Sequence, residues 1–316
     1  MPCAPPPPSD SPTESGGAIP GLADAPAWVL GGPGLSQVPV VISVPHAGRS
    51  YPPAVLATMR DPLMATLRLE DRLIDAVGEA VAARTAAHWI AARAPRAMID
   101  LNRATDDVDG EMFGGAMPGD ARPGAPGRRA RAGLGLVPRR LPGSGEIWRG
   151  PQPRAVLNAR IAGIHASYHA RLAGLLAEVR ARWGAVLLVD LHSMPPLVMP
   201  DGRPGATFVL GDRFGSSCDG RLVASAFAHF AAAGELAAHN RPYAGGYVLE
   251  RHAARGKGVH AVQIEVDRTR YLDTRMDGLG EGFAGLVEVL AGLVERLAVE
   301  TAEMGQGRVG WAEAAE

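Results

Sequence analysis

Apolar and polar positions along this chain switch between two periods. Val40-Val41-Ile42-Ser43-Val44 is a short β-branched run, closed by a turn that Pro45 and Gly48 force. It predicts a buried strand over residues 39–44. Further short runs predict strands at 26–31, 88–92, 97–101, 207–211 and 259–266. Residues 185–193 form a continuous apolar run with a polar tip, as expected of a central strand covered on both faces. Between these runs the period lengthens. Leu69, Leu73, Ile74, Val77 and Val81 share one helical face and predict a helix over 69–83. Helices are also expected at 53–59, 153–183, 218–234 and 277–302. Strands alternating with helices predict an α/β protein, a three-layer α/β/α sandwich on a mixed, mostly parallel sheet.

The periods fail in three places. Residues 1–22 are rich in Pro, Ser and Gly and are expected to form a disordered tail. Residues 304–316 are expected to form a flexible C-terminal tail, which leaves one domain over 23–303. Within it, residues 105–150 are crowded with Gly, Pro, Asp and Arg and show no period. So long a stretch reads either as a lid or substrate-gripping insertion, or as an untethered loop.

Composition narrows the function classes. The 316 residues are 47% hydrophobic and 21% charged, enough apolar material for a sizeable core. A net charge of −1 without a basic stripe argues against nucleic acid as a partner. The two cysteines, Cys3 and Cys218, leave no Cys-based zinc site, and a structural disulfide is not expected. The proline-rich start has no apolar core of the signal-peptide kind, and no apolar run reaches membrane-spanning length. A cytoplasmic protein is expected. Oligomeric state is not legible.

Chemistry concentrates at the ends of the predicted strands: His46, Asn102-Arg103, Asp190-Leu191-His192-Ser193 and Glu265. Polar groups ending apolar strands cost desolvation unless they are paired or used. Strand ends are also where open α/β sheets bind ligands. His46 and His192 are the candidate imidazole ligands of a catalytic metal, which commonly takes two histidines and a carboxylate. Glu70-Asp71 is the candidate source of that carboxylate, the alternative being acidic charge at a helix N-terminus. Asp190 shares a strand face with His192 and could orient its ring. Glu265 is the candidate proton acceptor, or else a strand glutamate paired with Arg268 or Arg270. Arg103 with Asn102, and Arg96 as a second clamp, suit a substrate carboxylate. The alternative is a local pair of Arg103 with Asp100 or Asp106. His169 and His260 read as either core or functional histidines. Gly245 and Gly246 would let backbone approach a substrate closely, or form a plain turn.

In order along the chain, Ser43-Val44-Pro45-His46-Ala47-Gly48, Glu70-Asp71, Ile99-Asp100-Leu101-Asn102-Arg103, Tyr168-His169, Asp190-Leu191-His192-Ser193, Asn240 through Gly246, and Gln263-Ile264-Glu265-Val266 resemble the N-formylglutamate amidohydrolase family. The resemblance covers about residues 38–275. That family in turn resembles zinc carboxypeptidases. It implies a phosphorylase/hydrolase-like α/β/α fold, one Zn²⁺, and hydrolysis of N-formyl-L-glutamate to formate and glutamate, the last step of one route of histidine degradation. It also implies zinc on His46, Asp71 and His192, with Glu265 as base. In carboxypeptidases the first histidine and its glutamate ligand lie three apart. Here Arg49 occupies that place, so the carboxylate is expected from Asp71, with Glu70 as the alternative. The rival readings are a zinc amidase for another N-acyl amino acid or small peptide, and a non-catalytic acidic amino-acid binder.

Overall fold

The computed structural model describes residues 14–113, 128–141, 143 and 145–313. Cys3 with the start of the expected tail, the middle of the 105–150 insertion and the end of the C-terminal tail lie outside the described residues. The chain runs β1 (Glu14–Gly16), β2 (Trp28–Gly31), β3 (Val40–Val44), α1 (Pro53–Thr58), α2 (Pro62–Leu69), α3 (Ile74–Thr85) and β4 (His88–Ala92). The insertion contributes α4 (Arg128–Arg131) and a small hairpin of β5 (Arg140–Leu141) and β6 (Gly145–Glu146). Then follow α5 (Arg154–Arg160), a π-helical segment (Ile161–Ala166), α6 (Ser167–Trp183), β7 (Val186–Met194) and β8 (Phe208–Gly211). The last elements are α7 (Gly220–Ala232), β9 (Ala237–His239), α8 (Tyr247–His252), β10 (Val259–Asp267) and α9 (Phe283–Glu313).

Eight strands form one sheet in the order β1-β2-β4-β3-β7-β10-β8-β9. Its centre, β4-β3-β7-β10, is parallel, while β2 and β8 join antiparallel. The predicted mixed, mostly parallel sheet is therefore present. Side-chain alternation divides the strands between two cores. Val40, Ile42, Leu187, Val189, Val262 and Ile264 pack with α3, α7 and α9. Val41, Ile90, Leu188 and Ala261 pack with α6 and the loops of the opposite layer. That second face also carries Ser43, Asp190, His192, Gln263 and Glu265, by the same alternation. Among the described residues no helix is long and apolar enough to cross a membrane.

Four expectations need correction. Ala97–Leu101 is a buried turn and not a strand: Met98 N–H bonds Pro95 O, and Asp100 N–H bonds Leu136 O at 2.7 Å. The expected 69–83 helix begins only at Ile74, because Leu73 adopts a left-handed φ of 57°. Glu70 and Asp71 thus sit in the joint between α2 and α3. The N-terminal tail does not extend to residue 22. Glu14–Gly16 pairs with β2, Ile19 is buried, and Gly16 lacks the Cβ that the Trp28 ring would meet. At the other end α9 continues past the expected limit to Glu313. Gly305 there lies against the Trp183 carbonyl, where no other residue would fit.

Candidate active site

His46 lies in the turn after β3, next to Pro45, and is 2% exposed. Its Nε2 lies 2.7 Å from Asp100 Oδ1. His192, on β7, lies 2.9 Å through Nε2 from Asp190 Oδ2. In a neutral ring, an N–H bonded to a carboxylate fixes the tautomer and leaves the other nitrogen's lone pair for a metal. Both Nδ1 atoms then converge on Asp71 Oδ2, at 3.6 Å from His46 and 3.0 Å from His192. The three potential ligand atoms lie within 4.8 Å of one another, and all three residues are buried. His46 Nδ1 is buried without a hydrogen-bond partner. A buried imidazole lone pair with no donor in reach is a state that a cation would relieve.

The local chain explains this convergence. The Asp71 N–H bonds the His46 carbonyl at 3.1 Å, which ties the α2–α3 joint to the strand tip. Glu70 points elsewhere. It accepts from Arg72 at 3.0 Å and lies against Tyr51, so Asp71 is the carboxylate brought to the histidines. Burial opposes charge on both partners here. Even so, the two imidazoles hold the Asp71 carboxyl far below its ordinary range, and Asp190 with Asp71 holds the His192 ring well above its own.

Glu265 arrives through strand register. β10 pairs in parallel with β7 so that Glu265 is opposite His192, and Gln263 opposite Asp190. Gln263 Nε2 donates to Glu265 Oε1 at 2.8 Å and leaves the other oxygen to the cavity. Burial pushes the Glu265 carboxyl up to about 8; His192 opposes this shift, and Asp71 adds to it. Neither arginine suggested by the sequence neutralises it, since Arg270 pairs with Glu235 and no ion pair joins Arg268 to Glu265 among the described residues.

His46, Asp71, Arg96, Asn102, Arg103, His192, Gly245, Gly246 and Glu265 line one cavity of about 210 Å³. Asp190 stands behind His192, and its Oδ1 accepts from Ser43 at 2.8 Å. Asn102 Oδ1 accepts from Val248 N–H at 2.9 Å, and Nδ2 donates to Gln263 at 3.3 Å. Gly246 has no Cβ because Asn102 occupies that space, and Gly245 holds a φ of +102°. Arg103 bonds the carbonyls of Leu134 and Asn102. Arg96 binds Asp100 Oδ2 at 3.0 Å through both Nε and Nη2, so it also steadies the group that orients His46. His169 does not reach the cavity. Its Nε2 bonds the Leu101 carbonyl and its Nδ1 bonds His252, each at 2.9 Å.

Sequence reasoning passed over several participants. In the sequence Asp100 reads as a partner for Arg103 and as part of a family motif, whereas the structure places it behind His46, where a ligating histidine calls for a carboxylate. Arg68, Arg129, Tyr243 and Arg268 also line the cavity. Arg129 comes from α4, so the insertion contributes to the site. His165 and His252, beside His169, had no signal beyond being histidines near a motif.

A family model described as N-formylglutamate amidohydrolase matches residues 38–272. An N-formylglutamate deformylase of Pseudomonas aeruginosa is 33% identical over 245 residues, which cover 75% of this chain and 83% of the relative. That of Pseudomonas putida is 30% identical over 249 residues, with the same coverage. Among solved structures, an N-formylglutamate amidohydrolase from Ralstonia eutropha superposes with a TM-score of 0.78 at 31% identity, covering 88% of this chain and 99% of that one. A protein from Agrobacterium tumefaciens shares the fold at 18% identity and a TM-score of 0.60, covering 85% and 91% of the two chains.

Proposed function

This chain belongs to the N-formylglutamate amidohydrolase family, and on that premise we propose that it hydrolyses N-formyl-L-glutamate to formate and L-glutamate with one divalent cation, zinc, held by His46, Asp71 and His192. The observation that carries the metal reading is the orphaned Nδ1 of His46, buried beside Asp71 while Asp100 fixes the far side of the ring. Two imidazole nitrogens and one carboxylate form a donor set that suits zinc and leaves room for water and substrate. When bound, the cation supplies Lewis acidity, lowering the pKa of water toward about 7 and polarising the formyl oxygen.

The chain's own residues do the rest. Glu265 takes a proton from the water that attacks the formyl carbon. It delivers that proton to the nitrogen as the C–N bond breaks, which yields formate and the free amine. Gln263 holds one Glu265 oxygen and so aims the other. Asp100 and Asp190 keep both rings in the tautomer that presents Nδ1. Arg103, set by Asn102 and supported by Arg96, grips a substrate carboxylate.

The test is formate release from N-formyl-L-glutamate beside a panel of formyl, acetyl and succinyl amino acids. N-formylglutamate is expected to show the highest kcat/KM. A larger value for an acetyl or succinyl substrate would move the chain to a different acyl specificity within the same chemistry. No hydrolysis of any of them by zinc-loaded protein would overturn this reading in favour of a small-peptide amidase or a binding protein.

A further inference from the structure

The cavity in front of the histidine pair holds more positive charge than one carboxylate would answer. Arg68, Arg96, Arg103, Arg129 and Arg268 line it, against the acids Asp71 and Glu265. Arg96 is paired with Asp100. Among the described residues, no ion pair engages Arg68, Arg103, Arg129 or Arg268. These cations are also crowded. Burial, and after it the charges of Arg129 and Arg96, pull the Arg103 guanidinium below its ordinary range in spite of Asp100. Like charges gathered in one partly buried space are costly unless an anion completes them.

Arg268 is the informative member. It stands on the short 3₁₀ turn Arg268–Arg270 that closes β10, three positions after Glu265. Asp267 fixes that turn by accepting from Thr269 N–H at 2.9 Å and from the Thr269 hydroxyl at 2.8 Å. Arg268 Nε is buried and has no hydrogen-bond partner. A guanidinium carried by a rigid turn, lining the cavity and joined to no carboxylate among the described residues, has the form of half a carboxylate site. It lies on a different element from the Asn102-Arg103 turn and from Arg129 on α4. Arg268 thus reaches the cavity from a support of its own, separate from those of Arg103 and Arg129.

Resting on the N-formylglutamate reading, we propose that Arg268 is the selectivity residue for the substrate's side-chain carboxylate, while Arg129 reinforces Arg103 at the α-carboxylate. The substrate class is then N-acylated dicarboxylic amino acids, and the monocarboxylic analogues are excluded. They would leave Arg268, half-buried at the cavity wall, without a partner, which is the kind of penalty that gives a site discrimination.

The experiment is a cycle of substrates against variants in the full-length zinc-loaded enzyme. Formate release is measured with N-formyl-L-glutamate and with N-formyl-L-glutamine, which lacks only the side-chain charge. The wild type is expected to favour the glutamate by about 100-fold or more in kcat/KM. Arg268→Met is expected to lose about 100-fold on N-formylglutamate and only a few-fold on N-formylglutamine, with Arg268→Lys between. Arg129→Ala, at an exposed side chain, is expected to lower both substrates alike, because both carry the α-carboxylate. Equal losses on both substrates for Arg268→Met, or no loss, overturn the assignment and reduce the arginines to a general positive field. No formate from either substrate with wild-type enzyme is a different result, since it removes the underlying reading and the inference with it.

Discussion

Burial and function pull Glu265 in opposite directions. Its carboxyl is pushed up to about 8 by burial, against an ordinary value near 4.5. Between those values the folded protein holds a proton that the unfolded chain has released, so stability falls as pH rises through that window. Glu265→Gln keeps the shape and the contact with Gln263 and removes the charge. In chelator-treated protein at pH 8.5, the variant is therefore expected to melt a few degrees above wild type. In zinc-loaded protein its formate release is expected to drop by about 10²–10⁴-fold, the range for losing a general base. Calorimetry and the formate assay check the two halves. Retained turnover would remove Glu265 from the base role, and an unchanged melting temperature would mean that its charge is not buried at a cost. Glu265 is also a measure of what the sequence discloses. A glutamate in an apolar strand could be seen as out of place, but its position opposite His192 depends on β7 and β10 being neighbours in one register. No local pattern specifies that.

The π-helical segment between α5 and α6 shows the same limit for an element. The apolar face of 153–183 announced a long helix and nothing about its interruption at Ile161–Ala166. That interruption places His165, whose Nε2 bonds the Arg103 carbonyl at 2.9 Å, next to His169, which bonds the Leu101 carbonyl. The two rings hold the turn that bears Asn102-Arg103 from behind, one carbonyl on each side of Asn102. This is a common use of π segments near sites. Burial pulls His169 down to about 2 and His252 down to about 4, and it also lowers His165. These rings stay neutral in the fold while the unfolded chain charges them near 6.5. Stability contributed by this stack is complete above pH 6.5 and is lost as pH falls toward 4. His252→Gln is expected to flatten the acid limb of the melting temperature between pH 6.5 and 4 relative to wild type. A variant curve parallel to wild type would show that His252 does not charge on unfolding. The turn at 97–101 has the opposite lesson. Its apolar residues are buried as expected, but a short apolar run reads the same in a packed turn as in a strand.

At the scale of the molecule, the alternation of strands and helices was enough to read the three layers, because each period answers to a core on one side of the sheet. Which strand tips meet was not legible, since it follows from the crossover order β4-β3-β7-β10. That order buries Asp71, Asp100, Asp190 and Glu265 around two imidazoles at one end of the sheet. Glu265, raised by burial with Asp71 adding to the shift, is a liability to the apo fold that a dication offsets, so metal and stability should be linked. A cation that binds the folded state alone stabilises it by about 2.7 kcal/mol at a hundredfold excess over its Kd. For a chain of this size that is a rise in melting temperature of about 5 °C. The measurement is calorimetry of chelator-stripped protein before and after adding zinc, beside His46→Ala and Asp71→Ala treated alike. Wild type is expected to regain the shift with about one zinc per chain, and both variants to show none. Wild type without a shift, or variants that shift as wild type does, would place zinc elsewhere than on the three converging side chains. His46→Ala also discriminates on the apo side. It removes the orphaned Nδ1 and leaves Asp100 with Arg96 and the Asn102 N–H, so loss of zinc response in a variant that still folds isolates ligation from structure.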